Sequence, residues 1–223
     1  MTNENSNLLQ ANGVLTNGPK SILRTNLPLS RPHERILFLF YLVAGLASTN
    51  AVDQFHTESI LALVWLSFIL AISFTEAWVK FKAPLLRKYV AVDVGRYVFA
   101  SLNAVELGLA GAFWITRALR GSSELPSPIF PAVATGVLLF MVLYVGPMLF
   151  LRAKYKMVHE AEPPARLLDD EIVALGLIAD EIRGQRLPQA NLHMVYVCLE
   201  AVKVLCLVLF LCGLWYVGKY VGN

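Results

Sequence analysis

Long apolar runs separated by short polar connections make up most of this 223-residue chain. A helix needs roughly 17–25 mostly apolar residues to cross the hydrocarbon core of a bilayer. Four of the runs reach that length, and the first lies at its lower limit. The pattern therefore predicts an all-α fold, a polytopic transmembrane helical bundle with five spans, at about residues 36–52, 59–79, 97–116, 129–151 and 194–218.

The composition agrees with this interpretation. Hydrophobic residues make up 57% of the chain and charged residues only 16%, whereas soluble globular domains carry about 25% charged residues. A soluble protein of this size would bury one or two helices of such apolar character. The composition therefore excludes an ordinary soluble domain and predicts an integral membrane protein surrounded by the lipid bilayer.

The polar N-terminal segment precedes the first span. Its Pro19, Pro28 and Pro32 disfavour a long helix, because proline lacks the backbone donor and its ring clashes with the preceding turn. We predict a mobile tail at residues 1–34 and the helical bundle at residues 35–223.

A second polar region lies between the fourth and fifth spans. Leu168, Ile172, Leu175 and Ile182 recur there at helical spacing, with acidic residues on the opposite face. This pattern predicts an amphipathic helix at about 167–183. Since acidic residues are unsuited to anionic lipid, the helix is expected either to pack on the bundle or to dock a protein partner or a second copy of the chain.

The basic residues predict the orientation of the bundle. Of the 19 lysines and arginines, fifteen fall in the tail and in the connections on one side, three fall on the other side, and Lys203 lies inside the last span. Such asymmetry predicts a cytoplasmic N-terminus, tail and 167–183 helix, and an extracytoplasmic C-terminus. The basic stretches lack interleaved aromatic residues, so no nucleic acid partner is predicted.

Eight polar side chains interrupt or border the apolar runs of the second, third and fifth spans. A charged group in the hydrocarbon costs at least about 2.5–3.5 kcal/mol, so such residues normally face the bundle interior and pair there. Helical spacing places those of the third span on one face and those of the fifth span on another. Together they form the candidate intramembrane polar site: Glu76, Arg96, Asn103, Glu106, His193, Tyr196, Glu200 and Lys203.

A purely structural role for each residue is the alternative. Glu200 and Lys203 could neutralise each other at i,i+3, Glu76 could pair with Lys80 on its own helix, and Asn103 could join two helices. For the set as a whole we favour a shared site in which Glu76, Glu106 and Glu200 face one another. Because Glu106 has no basic residue one turn away, we predict that Glu106 is the carboxyl protonated at neutral pH.

Catalytic and cofactor motifs are missing from the sequence. Cys198, Cys206 and Cys212 all fall in the last span without a C-x-x-C pair, and they are expected to be reduced, buried thiols. His193 with the glutamates lacks a diagnostic metal-ligand spacing. We therefore predict no catalytic residue, no metal site and no cofactor.

Three runs resemble a known family: SFTEAWVKFKAPLL, DVGRYVFASLNAVELGLAG and LHMVYVCLEAVKVL. Their layout is similar to that of the transmembrane protein 205 family, and the resemblance covers about residues 59–218. It implies an integral membrane protein with a four-helix core and supplies no agreed activity; the first span is an addition to that layout. The resemblance rests on Glu76, Lys80, Phe81, Pro84, Gly95, Arg96, Asn103, Glu106, His193, Tyr196, Glu200 and Lys203.

Two classes of function follow from these features. The carboxylates point to a small carrier that binds a proton, a cation or a cationic solute. The acidic 167–183 helix points instead to a non-catalytic membrane subunit or scaffold that docks a cytoplasmic partner. The sequence favours neither strongly and names no substrate.

Overall fold

The computed structural model describes residues 29–51, 54–120, 127–161, 167–185, 188 and 191–221. The predicted mobile tail lies largely outside these residues, at 1–28. Its last three residues belong to a helix that begins at Pro32, a position where the missing backbone donor costs nothing.

The described chain is helical, and it contains no strand, so the all-α prediction is confirmed at this level. Two π-helical segments, Leu70–Glu76 and Met141–Val145, each join two α-helices. The α-helices are α1 Pro32–Ala51, α2 Gln54–Ile69, α3 Ala77–Lys82, α4 Lys88–Arg120, α5 Ile129–Phe140, α6 Gly146–Glu160, α7 Asp169–Ile182 and α8 Leu192–Val221.

Four helical stretches within the described residues are long and apolar enough to cross a membrane: His56–Glu76, Lys88–Leu119, Ile129–Glu160 and Leu192–Tyr216. They correspond to the second to fifth predicted spans. The first predicted span is helix α1, which is not among the four, so the count of five remains a prediction.

Helix α1 nevertheless packs closely against α4 through small residues. A Cβ atom built on Gly108 would lie 2.6 Å from the carbonyl oxygen of Phe38, and one on Gly45 would lie 2.6 Å from the Cβ of Ala112. Small residues let two helix backbones approach within a membrane, where dispersion contacts replace the hydrophobic effect. Helix α1 is therefore an integral element of the bundle.

This packing gives a testable expectation for stability. Gly108→Ala should lower the melting temperature in detergent, because the new methyl group meets backbone atoms of α1 that cannot rotate away. Gly136→Ala is the matched control, since no atom lies within 4 Å of its added Cβ. There, replacing a helical glycine should stabilise by up to about 1 kcal/mol. Equal melting temperatures for the two variants would contradict the close α1–α4 contact.

The buried core joins four elements. Trp65, Ile69, Phe113, Leu138 and Phe210, contributed by α2, α4, α5 and α8, are almost fully buried and belong to one apolar cluster. Many large apolar residues lie on the outside instead, as expected for helices that face lipid. The prediction of buried thiols holds for Cys206 but was wrong for Cys198 and Cys212, which are exposed. The second π-helical segment ends immediately before Gly146-Pro147, where proline would otherwise clash with the carbonyl of the preceding turn.

Contacts between helices gather the predicted cytoplasmic segments at one end of the bundle. The guanidinium of Arg31 lies 4.0 Å from the centre of the Tyr97 ring. Arg152 donates to the carbonyl of Pro188 at 2.7 Å. We call this end, which carries α3, the start of α4, the end of α6 and α7, the basic end.

Helix α7 docks on the basic end through acidic side chains. Glu181 accepts from Lys154 at 2.6 Å, and Glu171 accepts from the Tyr89 hydroxyl at 2.9 Å. Lys154 is only 2% exposed. Because a buried ammonium requires a charged partner, Glu181 turns towards the bundle. The chain is helical at Asp169–Ile182, and acidic residues of this helix help hold it to the bundle.

This docking should weaken in acid. The backbone N–H of Leu168 and the Tyr89 hydroxyl donate to Glu171 and lower its pKa below the ordinary value of 4.5. A carboxyl with a lowered pKa stabilises the folded state above its ordinary pKa, and the contribution disappears as pH falls through the lowered value. Amide hydrogen exchange of α7 should therefore accelerate below about pH 4.5 more in the wild type than in Glu171→Gln. A Glu171→Gln profile with the same acid dependence would contradict this assignment.

Candidate functional site

The centre of the bundle holds a buried ion cluster made by two helices. Lys203 of α8 donates to both carboxylate oxygens of Glu106 on α4, at 2.6 and 2.8 Å. The same ammonium lies 3.0 Å from Oε2 of Glu200, one turn earlier on α8. All three residues are 0–1% exposed. One ammonium thus serves two carboxylates, and we call this cluster the triad.

Glu106 is the better satisfied of the two carboxylates. In addition to Lys203, its Oε1 accepts a hydrogen bond from the indole Nε1 of Trp65 at 2.8 Å. Trp65 is 1% exposed, so the indole must find an acceptor inside the bundle. Helices α2, α4 and α8 are therefore joined through a single carboxylate.

Glu200 is left with unused hydrogen-bonding capacity. Its oxygens lie beside Lys203, but neither receives a hydrogen bond from the described residues, and the same holds for the Tyr196 hydroxyl and for Oδ1 of Asn103. Glu200 and Tyr196 are 1% and 2% exposed. Buried polar atoms are normally hydrogen-bonded to protein or to ordered water, so these atoms mark a place where water or a ligand is required.

A cavity of about 1110 Å³ opens at the basic end. Glu200 and Tyr196, but not Asn103, are among its lining residues, so the triad meets the cavity through Glu200. Tyr196 also packs edge-to-face on Phe99, with ring centres 5.2 Å apart. The cavity therefore connects an aqueous entrance with a buried carboxylate. We call it the basic cavity because lysines and arginines line it.

The remaining lining is strongly cationic. It contains five lysines and arginines and two histidines, against the two glutamates Glu160 and Glu200. The cationic and histidine residues are Lys80, Lys82, Arg96, Arg152, Lys156, His159 and His193. Of these, only Arg96 and His193 belong to the site predicted from the sequence.

The structure separates the eight predicted residues into groups. Glu106, Glu200 and Lys203 form the triad, and Tyr196, Arg96 and His193 line the cavity with Glu200. Asn103 is buried on the same helix as Glu106. Glu76 does not join them: it accepts from Lys80 at 3.2 Å, one turn along its own chain, as the structural alternative proposed.

The expectations about the carboxylates have different outcomes. Glu106 and Glu200 meet at Lys203, whereas Glu76 is 29% exposed and pairs with Lys80, so the facing set of three glutamates stays a prediction. The reason for predicting a protonated Glu106 was its missing cation, and this was wrong because Lys203 reaches Glu106 from another helix. Spacing along one helix revealed the i,i+3 pair of Glu200 and Lys203, but it carries no information about partners across helices.

A second buried ion pair escaped the sequence interpretation. Arg117 donates to Glu58 at 2.7 Å, and the two side chains are 6% and 0% exposed. Both had been assigned to polar connections outside the bundle. Helix α4 continues to Arg120 and α2 begins at Gln54, so these residues lie inside the helices at the end opposite the basic end.

Other features and comparisons add little about chemistry. Among the described residues, no three His, Cys, Asp or Glu side chains are grouped so that they could hold a metal ion. Comparisons with family models, curated proteins and solved structures give no match for this chain. The fold and site define a class, a helical membrane protein with a buried ion cluster beside an open cavity, and function must be argued from that geometry.

Proposed function

We propose that the protein is a small proton-linked membrane carrier, and that the triad is its proton site. The observation that carries the proposal is the shared ammonium of Lys203, which lies within 3.0 Å of both Glu106 and Glu200. With one cation for two carboxylates, the cluster is neutral only when one carboxyl holds a proton. A like charge nearby and a low dielectric both favour that neutral state.

Glu200 is the member that exchanges the proton with water. Glu106 is occupied by Lys203 and Trp65, whereas Glu200 lines the basic cavity and receives no hydrogen bond from the described residues. The groups facing it are Lys203 and Tyr196 of its own helix and Glu106 of α4. A proton arriving through the cavity meets Glu200 first.

A cationic solute is disfavoured by the same cavity. Five lysines and arginines line the approach to Glu200, and carboxylates outside the triad pair with three of them, at Lys80, Arg96 and Lys156. The approach therefore keeps a net positive charge, which repels an entering cation. The carboxylates are therefore proposed to bind a proton, while the solute itself is neutral or negatively charged.

Hydrophobic carbodiimide labelling tests the proton site, because this reagent modifies protonated carboxyls within the membrane. In reconstituted protein, peptide mass spectrometry should find more label on Glu200 than on Glu106, and less on Glu200 as pH rises. Glu106→Gln should reduce labelling of Glu200, since Lys203 then pairs with Glu200 alone. Dominant labelling of Glu106, or unchanged labelling of Glu200 in Glu106→Gln, would contradict the shared-ammonium model.

The orientation and the family remain part of the proposal. Helix α1 has 20 residues, enough to cross about 30 Å of hydrocarbon, and its packing on α4 supports five spans. The asymmetry of lysines and arginines along the chain supports a cytoplasmic basic end. In a cysteine-free background of sealed cells, Ser127→Cys should react with an impermeant reagent and Ala161→Cys should not. The opposite pattern would reverse the orientation. The resemblance to the transmembrane protein 205 family agrees with a membrane role without adding an activity.

A docking role is the second candidate, and the outer face of α7 favours it. Val173 and Leu177, one turn apart on α7, are 48% and 53% exposed, although their helix is held to the bundle. In a membrane subunit, this face would bind a protein partner or a second copy of the chain. Purification in mild detergent should then yield a stoichiometric complex that Leu177→Lys dissociates. A monomer unaffected by Leu177→Lys would leave the carrier as the supported function.

A further inference from the structure

The cations of the basic cavity are not arranged as ordinary membrane anchors. Lysine and arginine at a membrane interface normally extend their charged ends into water or between lipid headgroups. Here the side chains of Lys80 and Arg96 are only 7% and 10% exposed, where they pair with Glu76 and Asp93, and both residues line the cavity. Their charged ends therefore turn into the bundle, which interfacial anchoring does not require.

Gly95 makes room for one of these charges. A Cβ atom at this position would lie 2.6 Å from Nζ of Lys80 and 3.3 Å from its Cε. The ammonium also lies 5.1 Å from the centre of the Phe99 ring, within cation–π range. Position 95 thus places the Lys80 ammonium at the cavity wall, and a larger residue there would displace it.

The rest of the wall is apolar. Phe74, Phe99, Leu149, Phe150 and Val197 line the same cavity as the cations. Its volume of about 1110 Å³ is slightly above the range of roughly 300–1,000 Å³ for small-molecule sites. A small inorganic anion would leave the aromatic and aliphatic wall in contact with water.

We propose that the basic cavity binds an amphiphilic anion, with a phosphate or carboxylate head among the cations near Lys80 and Arg96 and an apolar body against Phe99 and Leu149. Charge-assisted hydrogen bonds select the head. The five lysines and arginines of the lining still outnumber the four carboxylates beside them, and this excess disfavours a positively charged analogue. These carboxylates are Glu76, Asp93, Glu160 and Glu200. This inference deepens the proposed function by naming its substrate class, and it rests on that function only for the link between anion and proton.

Calorimetric titration of the purified protein in a neutral detergent tests this inference at fixed pH. Decyl phosphate is the probe, and decyltrimethylammonium is its cationic counterpart. We expect saturable binding of decyl phosphate at least tenfold tighter than that of the cationic probe. Equal affinities, or no binding of decyl phosphate, would overturn the inference.

Three variants place the binding in the cavity. Lys80→Gln and Lys82→Gln each remove a lining charge and should weaken decyl phosphate binding roughly 10–100-fold and several-fold, respectively, as expected for loss of charged contacts. Gly95→Ala keeps every charge but displaces the Lys80 ammonium, and it should resemble Lys80→Gln. Arg183→Gln is the matched control, because Arg183 is a 77% exposed cation paired with Asp180 and does not line the cavity. Equal affinity for decyl phosphate in all four variants would overturn the site. If Lys80→Gln does not fold, Lys82→Gln still tests it.

Two further arms identify the source of the anionic head. Competition by inorganic phosphate supports a soluble anion, whereas binding of phosphatidic acid from mixed micelles without such competition supports a lipid. Carbodiimide labelling of Glu200 without added anion is read separately. If labelling succeeds and decyl phosphate does not bind, the proton site stands and this inference fails; the reverse result retains the anion site and rejects the proton-linked function.

Discussion

Replacing Lys203 by methionine is expected to lower the free energy of unfolding by about 3–5 kcal/mol, the range measured when one partner of a buried ion pair is removed. Methionine preserves the length and apolar stem of the side chain, so the change isolates the ammonium. Glu106 and Glu200, which are 0% and 1% exposed, would lose their common cation within the bundle. The effect would appear as a lower midpoint of thermal or denaturant unfolding in detergent.

A compensating variant separates charge from packing. In Lys203→Met combined with Glu106→Gln, one carboxylate is removed with the ammonium, and the glutamine oxygen can still accept from Trp65. We expect the double variant to recover most of the lost stability. Lys203→Met alone should also be destabilised less at pH 5 than at pH 8, because protonation removes the uncompensated charge. A Lys203→Met protein as stable as the wild type would rule out the ion cluster.

The apolar spans could be predicted from sequence because bilayer thickness limits their length. The predicted spans at 59–79 and 129–151 correspond to His56–Glu76 and Ile129–Glu160. Their ends differ because helices do not stop where hydrophobicity stops. At the basic end, α6 continues through Arg152 and Lys156 to Glu160, beyond the apolar run that the prediction used.

It was easier to predict which residues belong to the site than which of them form ion pairs. Inward-facing polar residues follow from the cost of exposing charge to lipid, and this argument found Glu106, Glu200 and Lys203. It could not show that the Lys203 ammonium lies between Glu106 of α4 and Glu200 of its own helix, because that contact depends on how the helices pack. The basic cavity was overlooked since Lys80 and Arg152 were interpreted as topology signals, a role that gives no information about which way a side chain turns.

The orientation of α7 on the bundle could not be predicted from its sequence either. Its apolar spacing predicted a helix, and the chain is helical at Asp169–Ile182. Ile182 of the apolar stripe is buried, but the acidic Glu181 also turns to the bundle, because the buried Lys154 requires it as a partner. A single inward-facing lysine on another helix thus helps to orient α7, and the α7 sequence contains no sign of it.

The buried pair at the opposite end should contribute as much stability as the triad. Arg117→Met would leave Glu58, which is 0% exposed, without the guanidinium 2.7 Å away. We expect a loss of about 3–5 kcal/mol in the free energy of unfolding. Glu58→Gln should cost less, because the long Arg117 side chain can extend its charge towards water near the helix end.

An exposed ion pair in the same chain provides the control. Lys156 and Glu160 lie 3.8 Å apart with side chains 52% and 42% exposed, and Glu160→Gln should change the free energy of unfolding by less than about 1 kcal/mol. Denaturant unfolding in one detergent allows Arg117→Met, Glu58→Gln and Glu160→Gln to be compared directly. If Arg117→Met were as mild as Glu160→Gln, Glu58 could not be an ionised and fully buried partner. The expected order of Arg117→Met, then Glu58→Gln, then Glu160→Gln would instead show that burial of the charge left unpaired determines how much each substitution costs.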